Sequence, residues 1–390
     1  MKYNFNEIIA REETMATKSY VPHVTLNHPD CINLWVADMD FPVCKEISDA
    51  LIKRAEHPIY GYTEKGEDIK EAIKGWFSRR HEIYFNTDEV VLNTGVIHGY
   101  SAAIRILSDI NDEILVPIPA YAPFVRKIEA NHRIPVFTKL KSVEENFVLD
   151  FEDMEKKITN KTKIFVLCNP HNPTGRIYSR EELIEIANFC EKHHLTIISD
   201  EIHCDLVYKK FITIMDVSEY AKNNTIILRS IGKSFNLAGL KIAAAIIKNP
   251  VLREAFIKES ECVGNTSINC FAIEAFKAAY NNADDWLDQC LNYMKNNIEW
   301  TRKTFIEKFP ELNIVDPEGT YFIWINLEGF HINTDDIQRY FFEKANVYIT
   351  QGAFFGEPYK DYIRLNMATP FENVKKGVES ICDVLLDLKK

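Results

Sequence analysis

Six short apolar runs, each ending in a polar or glycine-bearing turn, constrain this chain more than any other feature. They are Val90-Val91-Leu92-Asn93, Ile114-Leu115-Val116-Pro117, Ile164-Phe165-Val166-Leu167-Cys168, Thr196-Ile197-Ile198-Ser199-Asp200, Ile226-Ile227-Leu228-Arg229 and Ala243-Ala244-Ala245-Ile246-Ile247. They are rich in Val and Ile and apolar on both faces, as strands of a covered parallel sheet are. Helical patterns fit between them. Ser179-Arg180-Glu181-Glu182 has the capping-box spacing, and Leu183, Ile186, Ala187 and Cys190 continue as one apolar stripe. Strand, helix and strand in repetition predict an α/β fold: a mostly parallel sheet covered by helices. In such sheets a ligand binds beyond the carboxyl ends of the strands, so the turns are the places to search.

The pattern changes after about residue 280. A helical stretch from Trp286 to Phe309 precedes the alternating run Thr320-Tyr321-Phe322-Ile323-Trp324-Ile325, and a helical tail closes the chain. The reading is a large domain over residues 46–280. A smaller α+β domain would combine residues 1–45 with 281–390.

Composition narrows the function classes. With 390 residues the chain is long enough to bury a large core without metals or disulfides. A formal net charge of -11 gives no basic footprint for nucleic acid. No apolar run reaches the roughly 18 residues of a membrane span, and the start lacks a signal-peptide apolar region. Nine scattered cysteines with no C-x-x-C pair argue against a disulfide framework and a structural zinc site. The expected setting is a reducing cytoplasm, with no metal, membrane or nucleic-acid partner.

Five turns and one strand-like run carry chemistry. Arg229 to Lys241 reads S-x-x-K-S-F-N-x-x-G-x-K, beginning at Ser230. A lysine in a small-residue turn straight after a strand can condense with an aldehyde cofactor, and the small residues let a phosphate approach the backbone. Asp200 closes a strand in Asp200-Glu201-Ile202-His203. It is either a helix cap or a carboxylate that keeps a heterocyclic nitrogen protonated. Asn169-Pro170-His171-Asn172-Pro173-Thr174-Gly175 is turn chemistry from which Asn172 could reach a ring hydroxyl. His171 reads as a turn residue. Asn93-Thr94-Gly95-Val96 passes from strand to helix, where backbone N–H groups cradle a phosphate. Tyr121, in a proline-stiffened turn, is either core or a stacking partner for a flat ring. Arg364, in Tyr362-Ile363-Arg364-Leu365-Asn366, is either a surface residue or a carboxylate clamp. The segment 263–269 is open between helix capping and an approach to a partner's site.

These motifs, together with Trp35-Val36-Ala37-Asp38-Met39-Asp40-Phe41, Tyr60-Gly61-Tyr62 and Ser199-Asp200-Glu201-Ile202-His203-Cys204-Asp205, cover nearly the whole chain. In them the chain resembles the class I/II aminotransferase superfamily, fold type I enzymes that use pyridoxal 5'-phosphate. Within it, the likeness is strongest to the cystathionine β-lyase-like C–S lyases. The resemblance implies that Lys233 carries the cofactor and Asp200 pairs with its ring nitrogen. Asn172 would contact the ring hydroxyl and Tyr121 would stack on the ring. Gly95, Val96 and Ser230 would sit at the phosphate, and Tyr62 would reach the phosphate of a neighbouring subunit in a homodimer. Arg364 would take the substrate carboxylate, and Asp38 would lie near the entrance. Two positions depart from the general aminotransferase pattern. His203 stands where a Tyr is frequent, as in the lyase branch, and Lys241 replaces a frequent phosphate-binding Arg. The implied reaction is α,β-elimination of a sulfur amino acid such as cystathionine or cysteine to thiol, pyruvate and ammonia. An aminotransferase is the first alternative, and a regulatory protein that retains the cofactor the second.

Overall fold

The computed structural model describes residues 2–19, 30–143, 146–265, 267–332 and 336–389. Its centre is a seven-stranded sheet. In chain order the strands are Val90–Asn93 (β1), Glu113–Ile118 (β2), Ile134–Lys139 (β3), Thr162–Cys168 (β4), Thr196–Asp200 (β5), Thr225–Arg229 (β6) and Ala243–Ile246 (β7). They lie side by side as β1-β7-β6-β5-β4-β2-β3. Only β7 runs against its neighbours. The sheet is thus mostly parallel, as the alternation of strand and helix predicts, and this run is the exception. The connection 230–242 holds only the four-residue helix Ile231–Ser234 and a single tight turn at Ala238–Leu240. It forms no crossover helix to carry the chain back, so the chain returns antiparallel.

The inner strands are apolar on both faces because both are covered. Ile164, Phe165, Ile197, Ile198, Ile226 and Leu228 are all fully buried. On one face Tyr100 and Ile104 of the helix Val96–Leu107 pack with Phe124 and Phe256. On the other, Leu183, Ile186 and Phe189 of the helix Arg180–Lys192 pack on Phe165 and Ile197. The Ser179 capping box forms as its spacing predicts, with Ser179 Oγ accepting from the Glu182 N–H. β3 is the strand the apolar pattern does not announce. It sits at the sheet edge, with Pro135 inside it and Ile134 and Phe137 substantially exposed. An edge tolerates a proline and exposure on its open side.

A second region gathers the end of the chain. Phe322–Asn326 (β8), Thr350–Gln351 (β9) and Tyr362–Asn366 (β10) form an antiparallel sheet in the order β8-β10-β9. The helices Asp284–Lys308, Ile337–Ala345 and Phe371–Leu388 pack on it through Phe305, Phe341, Val378 and Ile381. Leu34 joins this core, and Ile32–Asn33 pairs parallel with Val347–Tyr348. The N-terminal chain therefore reaches across to the C-terminal part. Among the described residues, no helix is long and apolar enough to cross a membrane.

Candidate active site

The carboxyl ends of β4, β5 and β6 finish in register, with Cys168 beside Asp200 and Asp200 beside Leu228. The turns that follow therefore emerge together. With the β1-to-helix turn they enclose a cleft of about 240 Å³. Lys233, Asp200, Asn172, His203, Tyr121, Gly95, Val96, Ser230 and Lys241 all line it. Arg364, Asp38 and Tyr62 do not line it, and each is placed differently.

Lys233 sits in the short helix Ile231–Ser234, capped by Ser230, whose Oγ accepts from the Gly232 N–H at 3.0 Å. That hydroxyl also donates to the Ile242 carbonyl at 2.6 Å, so its proton is committed in this conformation. Behind the turn, Phe235 is buried edge-on against Trp76 at 5.5 Å, and Trp76 stacks on Tyr280 at 4.8 Å. This aromatic block fixes the backbone that carries the lysine. The Lys233 amine donates to the Ala37 carbonyl at 2.5 Å. Burial pushes its pKa down to about 8, Arg364 adds to this, and Asp38 and Asp200 oppose it. An amine so lowered is neutral in a substantial fraction near neutral pH, which nucleophilic attack and proton removal both require.

Asp200 is buried, and one of its oxygens accepts from the Ile202 N–H at 3.0 Å. Burial raises its pKa to about 7 against the restraint of that hydrogen bond and of Lys233. A desolvated carboxylate of this kind gains most from a cation set against it. His203 packs edge-on to Phe322 at 5.7 Å, and burial pushes its pKa well below the usual histidine value. It is a neutral ring here, and its Nδ1 is buried without a partner among the described residues.

Arg364 lies one layer behind the cleft, on β10. Its Nη1 donates to Asn172 Oδ1 at 2.7 Å, and its Nη2 donates to the Trp35 carbonyl at 2.9 Å. Phe322 lies under the guanidinium carbon at 4.0 Å, and Nε is buried without a partner among the described residues. Burial lowers its pKa to about 10, which still leaves it a cation. Because Asn172 gives its oxygen to Arg364, its amide N–H groups are what it can offer the cleft. This link between the two residues was not visible in their sequence spacing.

The segment 35–41 is tied down on both sides. Asn366 donates to the carbonyls of Val36 and Asp38, while Asn236 donates to those of Met39 and Phe41. Asp38 itself is held by Arg11 at 2.7 Å, beside Lys233 but outside the lining. Tyr62 is fully exposed on this single chain, away from the cleft. His171 is buried in its turn with Nδ1 at 2.8 Å from Thr174 Oγ1, as a turn residue is. Asn269 caps the helix Cys270–Asn282 by accepting from the Ala272 N–H. Asn265 Nδ2 lies 2.9 Å from His98 Nδ1, and Thr266 lies outside the described residues.

Two features escaped the sequence reading. Thr94, Ile97, His98, Cys168 and Leu237 are among the other lining residues. They lie in or beside predicted motifs, and nothing in their own chemistry marks them. The second is a buried polar lattice under the lysine turn. Glu201 takes Arg229 in an ion pair and accepts from Thr213 Oγ1 at 2.7 Å. Asp205 accepts from Trp76 Nε1 at 2.8 Å and Ser234 Oγ at 3.1 Å, and lies 2.7 Å from His81 Nε2. The run Ser199 to Asp205 contains both acids, and their position straight after an apolar strand was the available signal.

The donor set fits a flat, phosphorylated heterocycle bearing an aldehyde. There is an amine for the aldehyde, a buried carboxylate for a ring nitrogen, and amide N–H groups for a ring oxygen. The cradle is built to match: Gly95 has φ 146°, and a Cβ there would point into open space at the start of the helix Val96–Leu107. Phosphate at a helix N-terminus is favoured by free N–H groups and the helix dipole.

Comparison with known proteins agrees with this set. Residues 29–381 match the family model "Aminotransferase class I and II". Protein MalY of Escherichia coli is 31% identical over 98% of this chain and 99% of its own length. Cystathionine β-lyase PatB of Bacillus subtilis is 30% identical over 95% of this chain and 97% of its own. The crystal structure of the PLP-bound C–S lyase from Staphylococcus hominis superposes with a TM-score of 0.92, at 30% identity, over 98% of each chain. On these findings the chain belongs to the class I and II aminotransferase family.

Proposed function

We propose that this chain is a pyridoxal-phosphate-dependent carbon–sulfur β-lyase. It would split cystathionine, cysteine or a related S-substituted cysteine into a thiol, pyruvate and ammonia. The carrying observation is the convergence of a lowered amine at Lys233 and a buried carboxylate at Asp200 on one cleft backed by Arg364. The likeness to PatB and to the Staphylococcus hominis enzyme supports elimination as the outcome.

Pyridoxal phosphate, when bound, supplies an electron sink for charge left at the substrate Cα. Lys233 would hold it, and Asp200 would keep its ring nitrogen protonated. Asn172 would donate to its ring hydroxyl, and Tyr121 would cover its face. Backbone N–H groups of Gly95 and Val96 would receive the phosphate, Lys241 would add a charge, and Ser230 would add its hydroxyl on turning from the Ile242 carbonyl. His203 would fill the space beside the ring as a neutral group. Arg364 would grip the substrate carboxylate, with Asn172 keeping the guanidinium in place. Lys233, displaced and neutral, would remove the Cα proton as a general base, and the electron pair so freed expels thiolate from Cβ.

The same reading makes the active unit a cytoplasmic homodimer, in which the exposed Tyr62 serves the neighbouring subunit's phosphate. Asp38 would border the entrance. Residues 46–280 would form the cofactor-binding domain, with 1–45 and 281–390 forming the smaller one. The common core of Leu34 with residues between Ile298 and Leu385 supports that division, while Phe5, Phe41 and Cys44 pack into the core of the larger domain. Transamination is the second reading, because the family description covers aminotransferases and both reactions share the Cα proton removal. A panel of S-substituted cysteines, assayed for pyruvate and free thiol without any keto acid, separates the two. Sustained release of both over many turnovers is expected. A strict keto-acid requirement overturns the lyase reading.

A further inference from the structure

A second cavity lies beside the catalytic cleft and shares none of its lining residues. It opens between the helix Ala122–Ala130, the edge strand β3 and the loop 353–358. We propose that it is a binding site for a small amphipathic anion, a carboxylate with an apolar tail.

Three observations point there. The space is about 470 Å³, within the roughly 300–1,000 Å³ typical of small-molecule sites. Its wall is apolar and partly open to solvent, with Val125, Phe137 and Phe354 lining it and Phe137 40% exposed at the sheet edge. Its rim is cationic in a chain of net charge -11. Arg126 and Lys139 both line it, and among the described residues neither is in an ion pair. Arg126 instead lies over the Phe354 ring at 5.8 Å. Of the other charged lining groups, Lys157 is closed by Asp153 at 2.6 Å, and Glu357 is a single exposed carboxylate. The balance favours an anion, and guanidinium paired with ammonium suits a carboxylate.

The site is joined to the catalytic cleft through one loop. Phe354 packs 6.2 Å from Tyr121 and 5.1 Å from Phe355. Phe355 lies 5.0 Å from the Arg364 guanidinium carbon. Tyr121 lines the cleft, while its neighbours Ala120 and Ala122 line the second cavity. An occupant thus presses on the rings that position the carboxylate-binding arginine.

The test is calorimetric titration of cofactor-loaded enzyme with octanoate, before and after the catalytic cleft is blocked with aminooxyacetate. The readout is binding alone, so it stands apart from whether the enzyme releases a thiol. One site per chain is expected, saturating below about 1 mM and unaffected by the block. Octylammonium should bind at least ~10-fold more weakly. The double variant Arg126→Glu/Lys139→Glu should lose binding by at least ~10-fold while keeping pyruvate release. The milder Arg126→Ala/Lys139→Ala covers the case where charge reversal disturbs folding. No saturation by about 10 mM, equal binding of octylammonium, unchanged binding by both variants, or binding abolished by the block would each overturn the proposal.

Discussion

At the scale of single residues, the site rests on half-buried Lys233 and buried Asp200, both held away from their usual protonation. Asp200 has its pKa raised by burial from 3.8 to about 7 in the cofactor-free chain. A raised folded value means that this group's contribution to stability is complete below about pH 3.8. It is lost as pH climbs through 7. Asp200→Asn removes that dependence. Thermal melts of the cofactor-free proteins should show the variant gaining on the parent between pH 4 and 7, then a constant difference. A flat difference across that range would contradict the burial argument. In the loaded enzyme the same change should cost at least ~10²-fold in turnover, because the amide cannot hold a ring nitrogen protonated. Lys233 and Asp200 were legible because Asp200 ends a strand and Lys233 sits in the small-residue turn just after one. The Arg364–Asn172 bond was not, because a separation of 192 positions carries no trace of a 2.7 Å contact.

At the scale of elements, the turns decide function and the strands only place them. Five predicted strand runs lie inside observed strands, and the sixth runs one residue past β7, because covered strands must be apolar on both faces. β3 escaped because an edge strand is half solvent-exposed and carries Pro135. The direction of β7 escaped because apolar patterning does not encode which way a strand runs. The turn at Gly95 is the most specific of these elements. Its φ of 146° belongs to glycine, although the space beyond its Cα is open. Gly95→Ala should therefore cost roughly 1–3 kcal/mol of stability through backbone strain. It should also weaken cofactor affinity, measured by titrating the cofactor-free chain with pyridoxal phosphate. Unchanged affinity would remove this turn from the phosphate site.

At the scale of the whole molecule, the proposed homodimer makes Tyr62 the residue to test. Tyr62 is fully exposed, in a segment that does not touch its own cleft. If sites are shared in a dimer, Tyr62→Ala and Lys233→Ala homodimers are each impaired. Their mixed dimers then contain one intact site. Reassembly of an equal mixture should restore up to about a quarter of parental activity. No recovery after verified subunit exchange would contradict shared sites. Sequence patterning could suggest this arrangement only through resemblance, since a single chain's periodicities describe its own core and not its neighbour's.

The central claim is that Lys233 is the residue that holds the cofactor. Borohydride reduction of the cofactor-loaded protein, followed by peptide mass mapping, tests it most directly. The account predicts one stable pyridoxyl addition per chain, on the peptide carrying Lys233 and absent from Lys233→Ala. Addition at Lys241 or another lysine, or no addition at all, would contradict it.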